Sequence, residues 1–154
     1  MPTETQLCTF FLGQLFFGIE VEKVQEIIRY QEMTRVPLAP PVVGGLINLR
    51  GQIVTAIDLR RRLDLNESPY SDNYASRPTD KLPLNVIVRT SDETVSLLVD
   101  EIGDVLEVDR DDFESPPDTF TSKVRQLIRG AYKLKDRLLL FLDVDKVVDF
   151  AANH

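Results

Sequence analysis

The chain has 154 residues, 43% hydrophobic and 28% charged, with 25 acidic against 18 basic side chains and a net charge of −7. That is enough chain to bury a core, it holds no apolar run near the ~20 residues a membrane helix needs, and its charge repels nucleic-acid phosphates. One cysteine, Cys8, and one histidine, His154, exclude a disulfide scaffold and leave too few ligands for a zinc site or a nucleophile with an imidazole base.

The opening "MPTETQLCTFFLG" has neither the basic segment nor the cleavage site of an export signal, which predicts a cytoplasmic protein with no direct membrane insertion. From Gln6 to Glu20 the chain alternates or runs apolar about Gly13-Gln14, the punctuation of a hairpin, with Cys8 as a small buried thiol. In "VEKVQEII", Val21, Val24 and Ile28 recur at spacings of three and four, which predicts a short amphipathic helix bordered by Ile27. Glu22, Lys23, Gln25 and Glu26 fill its polar side.

"RYQEMTRVPLAPPVVGG" is an irregular connection, rich in proline and glycine, that leads into the hairpin "GGLINLRGQIVTAIDL". Arg50 stands at the tip of that hairpin, followed by Gly51, which permits a tight turn. Asp58 is placed as an N-cap for one or two helical turns over "LRRRLDL", whose three arginines read as a solvated face. The polar stretch 66–83 predicts a loop or linker.

"LNVIVRT" and "TVSLLVDEIGDVLEV" follow as strands joined through Ser91-Asp92-Glu93, and "DRDDFESPPDTFTSK" is a second polar connection. "VRQLIRGAYKLKDRLLLFLDVDKVVDF" then reads as strand, turn around Lys135-Asp136, strand and a closing helix or strand. The carboxylates of "VDEIGD" and "DRDD" adjoin turns and read as solvated acids, and "GLINLRG" lacks the Lys-Ser/Thr pair and glycine spacing of a phosphate loop. No catalytic residue, metal or cofactor is expected.

The two halves echo each other. Glu20, Val21, Val24 and Ile27 match Glu101, Ile102, Val105 and Val108 at a constant shift of 81, "IVTAIDL" parallels "LLLFLDV", and Arg50-Gly51 is paired with Arg129-Gly130. Two similar β units, each too small for a large core of its own, should pack face to face and curl to hide their edges.

These residues also resemble a known family. "FFLGQLFFGIEVEKVQEII", "TRVPLAPPVVGGLINLRGQIVTAIDLRRRL", "LLVDEIGDVLEV" and "LLLFLDVDKVV" are similar to the CheW-type coupling proteins of bacterial chemotaxis, over nearly the whole chain. The most specific pieces are "VQEI" and, some twenty residues on, "G-x-x-N-L-R-G-x-I-x-x-x-x-D-L".

The resemblance implies a single mainly β domain over 1–154: two small five-stranded Src-homology-like β-barrels on a shared hydrophobic seam, with short helices. The first barrel is expected over about 14–65 with 144–150, the second over about 5–13 with 82–143, so that the N-terminal strand and the C-terminal element are exchanged. The 66–83 loop is longer than the family's usual one.

It further implies a non-catalytic adaptor that ties the cytoplasmic tips of methyl-accepting chemoreceptors to the regulatory domain of a CheA-type histidine kinase, in a flagellar, twitching or phototaxis pathway. Such a protein is monomeric alone, is recruited to receptor arrays at the membrane and binds no nucleic acid. By motif position Arg50 pairs with Glu26, a partly buried pair at a barrel rim, and Asn48 and Gly51 of the same motif are expected among the partner-binding residues. The receptor groove is expected from Val24, Ile27 and Ile28 in one unit and Val99, Ile102 and Val105 in the other. The competing reading is a sensing module that takes a small molecule in the cleft between the barrels.

Overall fold

The structure, a computed structural model, describes residues 4–65, 74 and 77–149. Most of the 66–83 loop, and His154, lie outside the described residues. In chain order the first repeat supplies β1 (Glu4–Leu12), β2 (Leu15–Glu20), a 3-10 turn (Val21–Lys23), β3 (Val24–Ile28), β4 (Val43–Leu49), β5 (Gln52–Asp58) and α1 (Leu59–Arg62). The second supplies β6 (Leu84–Arg89), β7 (Thr94–Val99), β8 (Glu101–Asp109), β9 (Phe113–Glu114), α2 (Ser122–Leu127), β10 (Ile128–Lys133), β11 (Leu138–Leu142) and α3 (Val144–Val148).

The strands form a six-stranded sheet in the order β8-β1-β2-β11-β10-β9 and a five-stranded sheet in the order β3-β6-β7-β5-β4. Mainly β and paired sheets agree with expectation, but neither ladder closes on itself and one has six strands rather than five. The division of strands also differs from the expected one. The whole β1–β2 hairpin sits with the last strands of the chain, and the β6–β7 hairpin sits with β3, β4 and β5. Each repeat lends its hairpin to the other repeat's sheet, which a purely local alternation of side chains cannot reveal.

The duplication holds in the ladders. In each sheet a hairpin pairs antiparallel with the third strand of the other repeat, and parallel with a later one: β7 with β5, β2 with β11. Asp58 and Asp143 each cap the following helix, accepting from Arg61 N at 3.3 Å and from Lys146 N at 3.2 Å. The bulge between Val43 and Gly45 against β5 recurs between Ile128 and Gly130 against β11, so Gly45 is the counterpart of Gly130. Arg50-Gly51 lies at a hairpin tip and Arg129-Gly130 within a strand, so that part of the sequence match is not a structural one.

Both faces of each sheet are buried, which is why strands such as β7 and β11 read as nearly continuous apolar runs. Phe10, Phe17 and Leu140 of one sheet and Ile57, Val88 and Leu97 of the other belong to a shared core, the seam between the sheets. The opposite face of the six-stranded sheet buries Leu7, Phe16, Tyr132 and Leu139, and that of the five-stranded sheet Ile47, Val54 and Ile87.

The chain crosses from sheet to sheet twice, and both crossings are pinned. Asp100, between β7 and β8, donates its N–H to Phe11 O at 3.0 Å and accepts from Gly13 N at 2.7 Å, while Arg60 of α1 grips both carboxylate oxygens. At the other crossing Lys23 reaches Glu20 and Asp145 of α3, each at 3.4 Å. Arg60 and Asp145 hold the second position of their helices, so the two pins are equivalent with their charges reversed.

Three local readings need correction. Residues 21–28 form a 3-10 turn and a strand, not a helix, and Val124 to Leu127 lie in α2, capped by Thr121, not in a strand. The arginines of "LRRRL" are not a solvated face. Arg62 is only 3% exposed, donating to Val147 O at 2.7 Å and Lys146 O at 2.8 Å, where it satisfies the last carbonyls of α3. Burial lowers its pKa, against a smaller opposing pull from Asp149. Cys8 is half-buried, with its thiol pKa raised by desolvation.

Candidate partner-binding site

The β4–β5 connection is a two-residue loop closed by Leu49 opposite Gln52. Arg50 has φ 52° and Gly51 φ 90°, and a loop with both central residues left-handed matches the right-handed twist of the strands it joins. Glycine adopts that conformation freely, whereas arginine does so at a cost of about 1 kcal/mol. Asn48 Oδ1 secures the turn, accepting from Gly51 N at 2.8 Å. A strained position that carries a long cationic side chain invites a functional explanation.

From that turn Arg50 reaches Glu26 in β3. Arg50 Nη1 donates to Glu26 Oε1 at 3.1 Å and Nη2 to Oε2, a two-pronged contact. In ladder order β3 and β4 are the outermost strands of the five-stranded sheet, so the pair joins one outer strand to the turn that follows the other. The Thr34–Leu46 bridge covers the outer side of β4, and Asn85 Nδ2, buried with Ser96, holds Arg29 O at 3.2 Å just past β3.

The clasp is more open than expected: the Arg50 side chain is 67% exposed and that of Glu26 26% exposed. The Arg50 hydrogen bond holds the Glu26 carboxyl below its usual range, against some desolvation and with a smaller hydrogen bond from Gln25. Glu26 in turn raises the Arg50 pKa. An exposed ion pair adds little to stability in water, and this one is better described as a fixed surface than as a strut.

The expected groove residues separate into four groups. Val24 and Ile102 are partly buried against the seam core, at its border. Ile28 packs on the interior core of the five-stranded sheet. Ile27 is 40% exposed and Val105 56% exposed. Val99 is fully buried in the seam and lines no groove.

Three residues near the clasp were not anticipated. Ile53, 62% exposed, lies directly opposite Asn48 in the hairpin. The two-residue turn fixes that register, so a polar, outward Asn48 already marks Ile53 as outward. Gln25 and Arg89 are hydrogen-bonded beside Glu26, and no spacing in the sequence signals that contact.

At the seam, where the competing reading would place a small molecule, Phe10, Phe17, Ile57 and Leu97 are packed with almost no exposure. A cavity of about 800 Å³ lies elsewhere, where the segment with Tyr30, Met33 and Arg35 meets Asp58, Arg61 and Tyr74. Among the described residues no group of acidic, histidine or cysteine side chains is placed to hold a metal ion, and no helix is long and apolar enough to cross a membrane.

Comparison with known proteins fits this architecture. Residues 6–152 match the family model described as a CheW-like domain. The chain is 33% identical to the chemotaxis protein CheW of Treponema pallidum over 144 residues, 92% of this chain and 81% of that one. It is 32% identical to the chemotaxis protein CheW of Bacillus subtilis over 149 residues, 97% and 90% of the two chains. The crystal structure of the scaffolding protein TtCheW from Thermoanaerobacter tengcongensis superposes with a TM-score of 0.78 at 24% identity, covering 97% of this chain and 94% of that one.

Proposed function

We propose, from the premise that this chain belongs to the CheW-like family, that it is a non-catalytic chemotaxis adaptor coupling the cytoplasmic tips of chemoreceptors to the regulatory domain of a CheA-type histidine kinase. The observation that carries this reading is the Arg50–Glu26 clasp, a solvent-exposed, two-pronged pair joining edge strand β3 to the β4–β5 turn. Exposed apolar side chains occur on the same sheet, Ile27 on the face of β3 away from Glu26 and Ile53 opposite Asn48, while Val24 and Ile102 border the seam. An amphipathic helix docks by laying an apolar stripe against such a surface and orienting it by charge.

The kinase domain would bind separately, at sheet ends away from the clasp, so that both partners are held at once in an array at the membrane. The two sheets would serve the same end, with one face for each partner. Charge exchange tests the docking role. Arg50→Glu with Glu26→Arg rebuilds the clasp in reverse, so folding is retained. Loss of receptor coupling in that variant supports direct docking on the pair, and full coupling reduces the clasp to a structural part.

A further inference from the structure

The β3–β6 ladder pairs Val24 with Val88 and Glu26 with Ile87, so Gln25 is the extra residue of a bulge. In a regular strand, consecutive side chains point to opposite faces and Gln25 could not meet Glu26. A bulge re-aims the side chain it carries. Here Gln25 Nε2 lies 3.4 Å from Glu26 Oε2, and Gln25 Oε1 accepts from Arg89 at 2.9 Å. Four side chains, Arg89, Gln25, Glu26 and Arg50, thus run from β6 across β3 to the β4–β5 turn.

The chemistry of this row allows one orientation. Arg89 has only donors, so the Gln25 amide must turn its oxygen toward it and leave its N–H groups for the carboxylate, which has only acceptors. An amide is the group that can join a cation to an anion in this way without adding a charge of its own. The row also limits the motion of Glu26: Arg50 draws on both carboxylate oxygens and Gln25 on the second of them. Arg50 acts on Glu26 from the turn, and Arg89 acts from β6 through Gln25.

We infer that Gln25 and Arg89 are positioning residues for the Glu26–Arg50 clasp: they hold the Glu26 carboxylate where it presents Arg50 to a docked partner. The consequence for docking rests on the coupling function proposed above, whereas the positioning itself does not.

The test is NMR titration of the Glu26 side chain in the full chain, beside capture of a receptor-tip fragment. In wild type the carboxyl titrates below its ordinary range. Arg89→Ala should move the midpoint upward and weaken capture about two- to fivefold, the weight of one hydrogen bond. Gln25→Ala should do at least as much, Arg89→Ala should add nothing on top of it, and Arg89→Lys should recover part of the loss. Thermal midpoints should be unchanged, because Gln25 and Arg89 are exposed. A Glu26 titration identical in wild type and both alanine variants would overturn the inference, and so would undiminished capture by variants whose titration has moved. Failure of wild type to capture the receptor fragment, with the titration shifts as expected, would instead remove the proposed function and leave the positioning intact.

Discussion

The two sheets carry the same ladder, yet they close their edges differently. In the six-stranded sheet the outer side of β10 is covered by β9, whose Phe113 stands edge-on to Tyr132 with centroids 5.1 Å apart. In the five-stranded sheet the outer side of β4 carries the single Thr34–Leu46 bridge, and β3 is joined to the β4–β5 turn by one exposed ion pair. Aromatic packing stabilises through area removed from water, whereas an exposed ion pair contributes little to folding and can exchange partners. The comparison teaches that duplication supplied the scaffold, and under the proposed function the lightly closed edge is the one that serves a partner.

The largest expected effect tests the covered edge. A Cβ on Gly130 would stand 2.4 Å from Phe113 Cζ and 2.6 Å from Glu114 O, so it cannot fit without displacing β9. Gly130→Ala should cost about 3 kcal/mol in urea unfolding. At the equivalent Gly45 a Cβ would meet Met33 Cβ at 2.8 Å and Thr34 O at 3.0 Å, and the positive φ of 157° adds backbone strain. Gly45→Ala should therefore also cost about 2 kcal/mol, and a negligible loss would show that the segment against β4 yields where β9 does not.

The pinned crossings come next. Asp100→Ala strands both Arg60 and Gly13 N, and should cost about 2 kcal/mol. Lys23→Ala removes contacts to the largely exposed Asp145 and to Glu20, whose side chain is only 12% exposed, and should cost about 1 kcal/mol in the same measurement. Equal losses would mean that the two crossings are equivalent in energy as well as in place.

On the open edge, Ile53→Asp should leave the thermal midpoint within about 2 °C of wild type, as an exposed site allows. Receptor capture should fall about tenfold, because the apolar side chain is replaced by a charge. The smallest effect is one of pH. Glu26 has a depressed folded pKa, so its contribution is present above the ordinary carboxylate range and is lost as pH falls through the folded value. The small stability difference between wild type and Glu26→Gln should therefore vanish in acid, and a difference that grows in acid would contradict the cause assigned here.

Much of this was legible in the sequence. Asp58 is followed by a helix because a carboxylate there can cap it, and the Arg50-Gly51 dipeptide between alternating runs has few uses other than a tight turn. The Glu26 partner came from motif position, not from any local rule. Val21, Val24 and Ile28 misled because spacings of three and four also arise when a 3-10 turn runs into a strand with a bulge at Gln25. Burial of Arg62 depends on carbonyls more than eighty residues away, and the exchange of the β1–β2 hairpin on pairings still longer, so neither leaves a trace in a window of the sequence.

The central claim is that the exposed clasp serves docking and not folding, and Arg50→Ala tests it most directly. Thermal midpoint, capture of the receptor tip and capture of the kinase regulatory domain are measured on the same preparation. The account predicts an unchanged midpoint, receptor capture weakened at least about tenfold and kinase capture as in wild type. A lowered midpoint with both captures intact would contradict it.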